Sequence, residues 1–354
     1  MNPEFWKGKS VLLTGHTGFK GSWLSLVLQK LGIKLVGFSK SIPTKPSLFE
    51  LAKVEEGMIS IYGDVRDQKL LEKTIDEHNP EIIIHMAAQA ILRKSYEDPI
   101  ETYETNVMGT VNLLESVRKV GGTKVILNIT SDKCYENSGS NNHYKEEDPM
   151  GGFDPYSNSK GCAELVTASY RNSFFNSTEF EKHGIALASA RAGNVIGGGD
   201  WGQDRLIPDI MQGIIDGKKI KIRNPNATRP WQYIMDPLNG YLMLIEKLWS
   251  KGTQYNEGWN FGPLEDNKSV KWIVEKITEY WDREIKLELD KENNPHEENY
   301  LSLDCSKAKN RLDWMPKLDL EKALVWTSDW YKDYEQNKDM RQITEEQITN
   351  FNSL

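Results

Sequence analysis

Tyr156 and Lys160 stand four residues apart in "DPYSNSKGCAELV". On a helix that spacing puts both side chains on one face. A nearby ammonium favours phenolate over phenol, so the pair reads as a base for a hydroxyl group or as a solvated helix face. Upstream, "TSDKCYE" (130–136) follows the apolar run "KVILNI". It sets Ser131, Asp132 and Lys133 where a buried strand would end. Neighbours on a strand point to opposite sides. Asp132 and Lys133 therefore read either as an acid and a base for chemistry or as a structural ion pair.

A third stretch reads as binding. Gly15, Gly18 and Gly21 form "TGHTGFKG", a G-x-x-G-x-x-G between an apolar run and a helical pattern. Glycine permits the tight turn, lets a pyrophosphate approach the backbone and lets the helix pack on the sheet. The helix N-terminus then faces the anion. With a strand before and a helix after, the context is that of a dinucleotide loop. The second strand of such folds usually ends in an acid for the adenosine ribose. Here it ends "GFSKS", with Ser39 and Lys40. Lys40 suits a 2′-phosphate or is a solvated loop residue. Asp64 in "YGDVRD" either caps the next helix or accepts from adenine. His16 and His85 read as structural, and Trp201 and Trp231 as packing.

The elements that must position these residues alternate along the N-terminal half. Strands are expected at 10–15, 34–39, 81–88 and 124–130. Helices are expected at 21–32, with Trp23, Leu24, Val27, Leu28 and Leu31 on one face, at 67–78 and at 105–121. The face of Val107, Val111 and Leu114 either packs on the sheet or forms a helical dimer contact. Near-continuous apolar strands separated by helices indicate an α/β fold with a doubly wound parallel sheet, the Rossmann arrangement. Past about residue 195 glycine, tryptophan and proline rise, and helical patterns return at 269–282 and 319–334. This predicts a smaller, mixed α/β C-terminal substrate domain. The expected division is 1–195 for the dinucleotide domain, rejoined by 227–262, and 196–226 with 263–354 for the smaller one. The polar run 136–148 reads as a surface loop.

The chain's 354 residues suit roughly two domains. A formal net charge of -8 argues against nucleic acid or an anionic membrane as partner. No apolar run is long enough to span a bilayer, and the start "MNPEFWKGKSVLLTG" lacks a signal-peptide pattern. Cys134, Cys162 and Cys305 are odd in number and far apart, as expected of reduced thiols in a cytoplasmic protein. The six histidines show no zinc spacing, so no metal is expected.

The glycine loop, the strand-end serine and Y-x-x-x-K resemble the extended short-chain dehydrogenase/reductases. Within these, "TSDKCYE", "GGFDPYSNSKGCAE", "ARAGNVIGGGDWGQDRLIPD" and "RPWQYIMDPL" are similar to the CDP-glucose 4,6-dehydratases, over about residues 5–334. The resemblance implies NAD as cofactor. It is implied to lie against Gly15, Thr17, Gly18, Phe19, Lys20 and Gly21, against Ser39, Asp64 and Val65, and against Ala87, Ala88 and Gln89. Asn106, Tyr156 and Lys160 complete that set. CDP-glucose is the implied substrate, with Arg93, Asn194, Arg205, Leu206, Arg229 and Tyr300 nominated to hold it. A cytoplasmic homodimer or homotetramer is expected.

The implied reaction oxidises C4, eliminates water across C5 and C6, and returns the hydride to C6. Its product, CDP-4-dehydro-6-deoxy-D-glucose, feeds 3,6-dideoxyhexose (O-antigen) synthesis in that family. Tyr156 with Lys160 would serve as base at C4, Ser131 would hold the same oxygen, Asp132 would be the acid at C6 and Lys133 the base at C5. The last two roles set a demand. A lysine at its ordinary pKa of about 10.4 is protonated, and an aspartate is ionised. Burial with a second cation such as Lys160 would be needed to depress the lysine, and the aspartate's pKa would have to be raised. Another sugar-nucleotide dehydratase or a 4-epimerase would share the scaffold, and a non-catalytic NAD(P)-sensing regulator would share the glycine loop. Asp132 and Lys133 count against an epimerase, and the intact Tyr156/Lys160 pair against a regulator.

Overall fold

Strands covered on both faces have no wet side, so they read as apolar runs rather than as alternation. In the computed structural model, which describes residues 1–137, 143–263, 268–281, 286–289 and 300–354, these runs form one seven-stranded sheet. Its strands are β1 (Ser10–Thr14), β2 (Lys34–Ser39), β3 (Ile59–Tyr62), β4 (Ile82–His85), β5 (Val125–Ile129), β6 (Ala186–Ala192) and, later in the chain, Gly258–Phe261. Every pairing is parallel. The order is β3-β2-β1-β4-β5-β6 with Gly258–Phe261 at the far edge. Alternate residues supply two cores. Leu12, Phe38, Ile83, Ile126 and Leu187 pack on one face, and Val11, Leu13, Ile82, Ile84 and Leu127 on the other. Each such side chain, fully buried, contributes about 1.5–3 kcal/mol.

The strand order reverses between β1 and β4, and the crevice at that switch is where this class of sheet binds ligands. Thr14 and His85 lie side by side across it. Outside the sheet, Val195–Ile196 pairs with Gln232–Tyr233, and Ile220–Ile222 pairs with Leu287–Leu289, both parallel.

Several expectations need adjustment. The first long helix is Phe19–Lys30, and Gly21–Leu28 are all buried rather than one face of them. The helix Met340–Ser353 covers its outer side, where Arg341 donates to Gln29 Oε1 at 2.9 Å. The strand expected at 81–88 stops at His85, because the next two N–H groups turn aside to Thr14 Oγ1. The helix expected from 105 begins as a π-turn, Glu104–Met108, and runs on as Gly109–Val120. Leu114 reaches the core, while Val107 and Val111 stay half-buried. The run 136–148 is not simply a surface loop, since Tyr144 is buried and stacks on Tyr135. Residues 138–142 of that run, and residue 282 of the expected helix 269–282, lie outside the described residues.

The glycine loop has unequal tolerance for a side chain. A Cβ on Gly21 would stand 2.1 Å from Gly15 O, whereas one on Gly18 meets nothing nearer than 3.5 Å. Overpacking costs about 1–3 kcal/mol. Gly21→Ala should therefore lower Tm by roughly 2–10 °C, and Gly18→Ala by less than about 2 °C. Calorimetry of both variants checks the difference; equal losses would contradict this account of the loop.

Candidate active site

β5 ends in a single 3-10 turn, Asp132–Cys134. Ser131 Oγ accepts from Lys133 N at 3.2 Å and donates to Asp132 Oδ1 at 3.0 Å. Asp132 is buried, and its Oδ2 has no hydrogen-bond partner. Burial pushes its carboxyl above the usual range, and it outweighs the pull of Lys133, Ser131, Lys20 and Arg229. Lys133 stands half-buried on the wall of the same cleft.

Tyr156 and Lys160 open the helix Pro155–Ser173, which is capped by Asp154 accepting from Ser157 N at 2.9 Å. Lys160 Nζ donates to Ile129 O at 3.4 Å, behind the strand end. Burial lowers the Lys160 amine to about 8, and Lys20 adds to it. The phenol corrects the sequence expectation. Burial pushes Tyr156 up to about 12, with Asp132 and Asp154 adding to it; a hydrogen bond with Ser131 and the charge of Arg205 pull it down, and Lys160 is not among the groups that act on it most. The two side chains share a helix, yet Lys160 points under β5.

Beneath these groups lies a network absent from the sequence reading. Glu164 and Arg191 form a buried ion pair, Nη2 to Oε2 at 2.8 Å. Glu164 also accepts from Thr130 Oγ1 at 2.5 Å and Ser189 Oγ at 2.6 Å. Arg191 Nη1 donates to Tyr135 OH at 2.6 Å, and Tyr135 OH donates to Asn260 Oδ1 at 2.7 Å. Burial alone would raise the Glu164 carboxyl, but Arg191 and the two hydroxyls hold it below the usual range. Its one visible signal is the four-residue step Tyr156, Lys160, Glu164 along one helix face.

On the other side stands the glycine loop. Gly15 adopts φ +78°, with no room for a Cβ against Met86 and Ala87. Gly18 caps the helix Phe19–Lys30 without any side-chain bond, so its first N–H groups stay open to an anion. Thr17 N donates to Ser39 Oγ at 3.3 Å, and Ser39 Oγ also meets His16 Nδ1 at 2.9 Å. Burial lowers the His16 imidazole to about 4 and that of His85 to about 3, so both are neutral. Thr14 Oγ1 accepts two backbone N–H groups and hence gives its own proton to His85 Nδ1, 2.7 Å away. Gln89 and Asn106 spend their amides on the chain: Asn106 Oδ1 accepts from Gln89 N at 2.8 Å, and Gln89 Nε2 donates to Thr102 Oγ1 at 2.9 Å. They fix the loop of Ala87 and Ala88. Asp64 does not cap the next helix, because Asp67 does. Asp64 is gripped by Arg66 at 2.7 Å beside Val65, which is buried under Gly109. Lys40 is ion-paired to Asp64 at 3.5 Å and Glu101 at 3.2 Å. A 2′-phosphate there would meet two carboxylates. The cradle fits the pyrophosphate of a dinucleotide.

Of the residues nominated for substrate, Asn194, Arg205, Leu206 and Arg229 line the cleft with Ser131, Asp132, Lys133 and Tyr156. Phe19 and Lys20 face into it from the glycine loop, with burial lowering the Lys20 amine to about 8. Arg205 pairs with Asp200 at 3.2 Å. Arg93 reaches across to Asp204 at 3.6 Å. Tyr300 is not brought into the lining; its backbone bridges Thr228 instead, next to Arg229. Sequence reasoning passed over Asp200, Asp209 and Arg223, which also line the cleft. The alternation "KIKIR" (219–223) was the available signal, since it puts Lys219, Lys221 and Arg223 on one side of a strand. Among the described residues no cluster of His, Cys, Asp or Glu is arranged for a metal, and no helix is long and apolar enough to cross a membrane.

A parallel sheet with this glycine cradle, a serine at the end of β5 and a Tyr-x-x-x-Lys helix defines the extended short-chain dehydrogenase/reductase class. Residues 12–325 match the family model described as GDP-mannose 4,6 dehydratase, and the chain belongs to that family. It is 51% identical over 354 residues to the CDP-glucose 4,6-dehydratase of Salmonella typhimurium, covering 100% of this chain and 99% of that one. It is 25% identical over 341 residues to a dTDP-glucose 4,6-dehydratase of Xanthomonas campestris, covering 90% and 92%. Among solved structures, the dTDP-glucose 4,6-dehydratase of Bacillus anthracis in complex with NAD superposes with a TM-score of 0.76 at 25% identity, over 94% of this chain and 100% of that one. A UDP-glucose 4-epimerase from Stenotrophomonas maltophila shares the fold, with a TM-score of 0.80 at 18% identity, over 93% and 99%.

A raised carboxyl has a stability signature. Below its unfolded pKa of about 3.9 the folded protein keeps a neutral Asp132 at no penalty. As pH rises through the folded value, ionisation is resisted and stability is lost. Asp132→Asn removes that loss. The variant should melt higher than wild type at pH 7, on the order of 2 °C, with the gain vanishing near pH 4. Differential scanning across this range checks the sign; a gain that grew toward acid pH would contradict it.

Proposed function

We propose that this chain is an NAD-dependent CDP-glucose 4,6-dehydratase that yields CDP-4-dehydro-6-deoxy-D-glucose and water. One observation carries the reading: a buried carboxyl with one unpartnered oxygen, Asp132, beside Lys133 at a strand end that shares a cleft with Tyr156. A plain dehydrogenase or epimerase has no need of that pair. The 51% identity over the whole chain supports CDP-glucose over other nucleotide sugars.

Bound NAD supplies the hydride acceptor and donor. Gly15, Gly18 and Gly21, with the N–H groups of Phe19 and Lys20, would hold its pyrophosphate. Asp64, Val65 and Ser39 would border the adenosine, and Ala87 and Ala88, fixed by Gln89 and Asn106, the middle. Tyr156 takes the proton of the C4 hydroxyl, and Ser131 orients that oxygen. Ser131 and Arg205 favour the phenolate, against burial. The 4-keto group acidifies the C5 hydrogen, which Lys133 removes. Asp132, kept protonated by burial, gives its proton to the C6 hydroxyl as it leaves. Arg205 and Arg229, with Asn194 and Leu206, line the path for the diphosphate; Arg93 and Tyr300 flank it.

The division at 1–195 with 227–262 against 196–226 with 263–354 is supported by the return of Gly258–Phe261 to the main sheet beside β6. A cytoplasmic setting accords with cysteines that form no disulfide among the described residues. Assembly as a homodimer or homotetramer is supported by Met108, Leu165 and Phe174, which are 49%, 59% and 47% exposed on two helices that pack together. Leu165→Glu should shift the sedimentation coefficient to that of a single chain. A wild type that sediments as a monomer would sink the assembly.

The catalytic roles separate in single turnover. Lys133→Met should still form reduced nicotinamide, seen by absorbance at 340 nm, and should slow elimination by about 10²-fold or more. Deuterium at C5 of the product made in D2O should fall in step. Dehydration at the wild-type rate would remove Lys133 as the base, and absence of any 4-keto-6-deoxy product from wild type would remove the function.

A further inference from the structure

The cleft continues past the reacting groups. Its far wall is made by the first turn of the helix Leu206–Asp216 and by the residue after the strand Ile220–Ile222. Ile207, Pro208 and Ile220 give it an apolar lining. Beside them Asp209 and Arg223 face each other, Oδ2 to Nη2 at 3.3 Å. Arg223 Nη1 is held from its other side by Asp204 at 3.3 Å, which fixes the plane of the guanidinium. An apolar slot with a few convergent polar groups is the usual form of a pocket for a flat heterocycle.

The charges order the cleft. Tyr156 responds to Asp132 and Arg205, and Arg205 to Asp200 and Tyr156. Asp209 lies one helical turn beyond Arg205, its N–H donating to Arg205 O at 3.0 Å, and its carboxylate turns to Arg223. The Arg205–Asp200 pair therefore stands between the two ends. A sugar nucleotide with its hexose at Tyr156 and Asp132 carries its diphosphate past Arg205 and ends with its base at Asp209 and Arg223.

We propose that Asp209 and Arg223 read the nucleobase and that their order selects cytosine. This rests on the CDP-glucose reading above. Cytosine presents a 4-amino donor beside the N3 acceptor. An ionised carboxylate only accepts and a guanidinium only donates, so the amino group pairs with Asp209 and N3 with Arg223. Uracil and thymine present a carbonyl and an N–H in the inverse order. In the same seat, carbonyl oxygen would meet carboxylate and N–H would meet guanidinium. A site built on such polar matches rejects the wrong partner far more strongly than an apolar one. Burial, Asp204 and Asp200 together outweigh Arg223 and push the Asp209 carboxyl up to about 6, so it is ionised at pH 7.5.

Calorimetric titration of CDP and UDP at pH 7.5 tests this in wild type, Asp209→Asn and Arg223→Lys. Wild type should bind CDP at least about 10-fold more tightly than UDP. Asp209→Asn, whose amide both donates and accepts, should narrow that ratio about 10-fold, largely by gaining UDP. Arg223→Lys should lose CDP affinity and narrow the ratio as well, and it decides the matter if Asp209→Asn fails to fold. A ratio unchanged within about 2-fold in the folded variants overturns the assignment while leaving the substrate reading intact. A wild type with no preference for CDP overturns the substrate reading, and the assignment with it.

Discussion

The ion pair between Glu164 and Arg191 is the contact on which the reactive strand end depends. Both partners are buried, and breaking such a pair from one side costs about 3–5 kcal/mol because a charge is left without compensation. Its value here is positional. Through Thr130 it grips the residue before Ser131, and through Tyr135 the residue after Cys134. Ser131, Asp132 and Lys133 are thus suspended between two bonds to one pair. Glu164 belongs to the helix of Tyr156 and Lys160, and Arg191 to the neighbouring strand β6. Helix, strand and loop are held in one frame, and Asn260 ties the last strand of the sheet to the same point. A loop held only by its own turn would not keep an acid and a base at fixed distances from a phenol.

Within that frame burial acts on every titratable group in one sense: it favours the uncharged form. Asp132 is raised, Lys20 and Lys160 fall to about 8, and Tyr156 rises to about 12. The demand that an aspartate remain an acid beside a lysine is met without special pleading, because desolvation supplies it. The same effect works against Tyr156, which as the proposed base would have to give up its proton. There the specific groups matter more than the medium: the Ser131 hydroxyl and the Arg205 charge favour phenolate locally. Acid and base therefore differ in their neighbours, and Asp132 is also the more deeply buried of the two.

The alternation of apolar runs made the sheet legible, since parallel strands buried on both faces leave no other pattern. The glycine loop and the Tyr156/Lys160 spacing were legible because each is a local motif whose geometry is set within one turn. Lys160's position under β5 was not, because spacing along a helix gives a face but not the depth of the neighbour it meets. Arg191 looked like any strand arginine, and only the pairing of β5 with β6 brings it beneath Thr130. Gln89 and Asn106 were nominated as cofactor contacts, and their hydrogen bonds to each other and to the chain were not legible. Asp64 was ambiguous between cap and contact until Asp67 took the cap three residues later. What escaped was contact between elements distant in sequence, above all the carboxylates and arginines of 200–223.

Those late residues complete a division of charge along the cleft. At the reacting end the groups are driven toward neutrality by burial. Farther out, buried Asp200 pairs with the half-exposed Arg205, and Asp204 pairs with Arg93 and Arg223. A Coulombic contact at an effective dielectric of about 20 is worth several times more than one in water, and it falls off slowly with distance. Ionised partners placed beside Asp132 would hold it deprotonated. Placed one residue-pair away, the same arginines are oriented for an anion while the acid is left alone. Asp204 accepts a left-handed backbone, φ +59°, to reach both of its arginines, a conformation that non-glycine residues adopt only when the surroundings hold them there. The cleft thus keeps its charged groups where the proposed diphosphate would lie and its neutral ones where protons would move, and the loop 200–206 is the segment that separates the two.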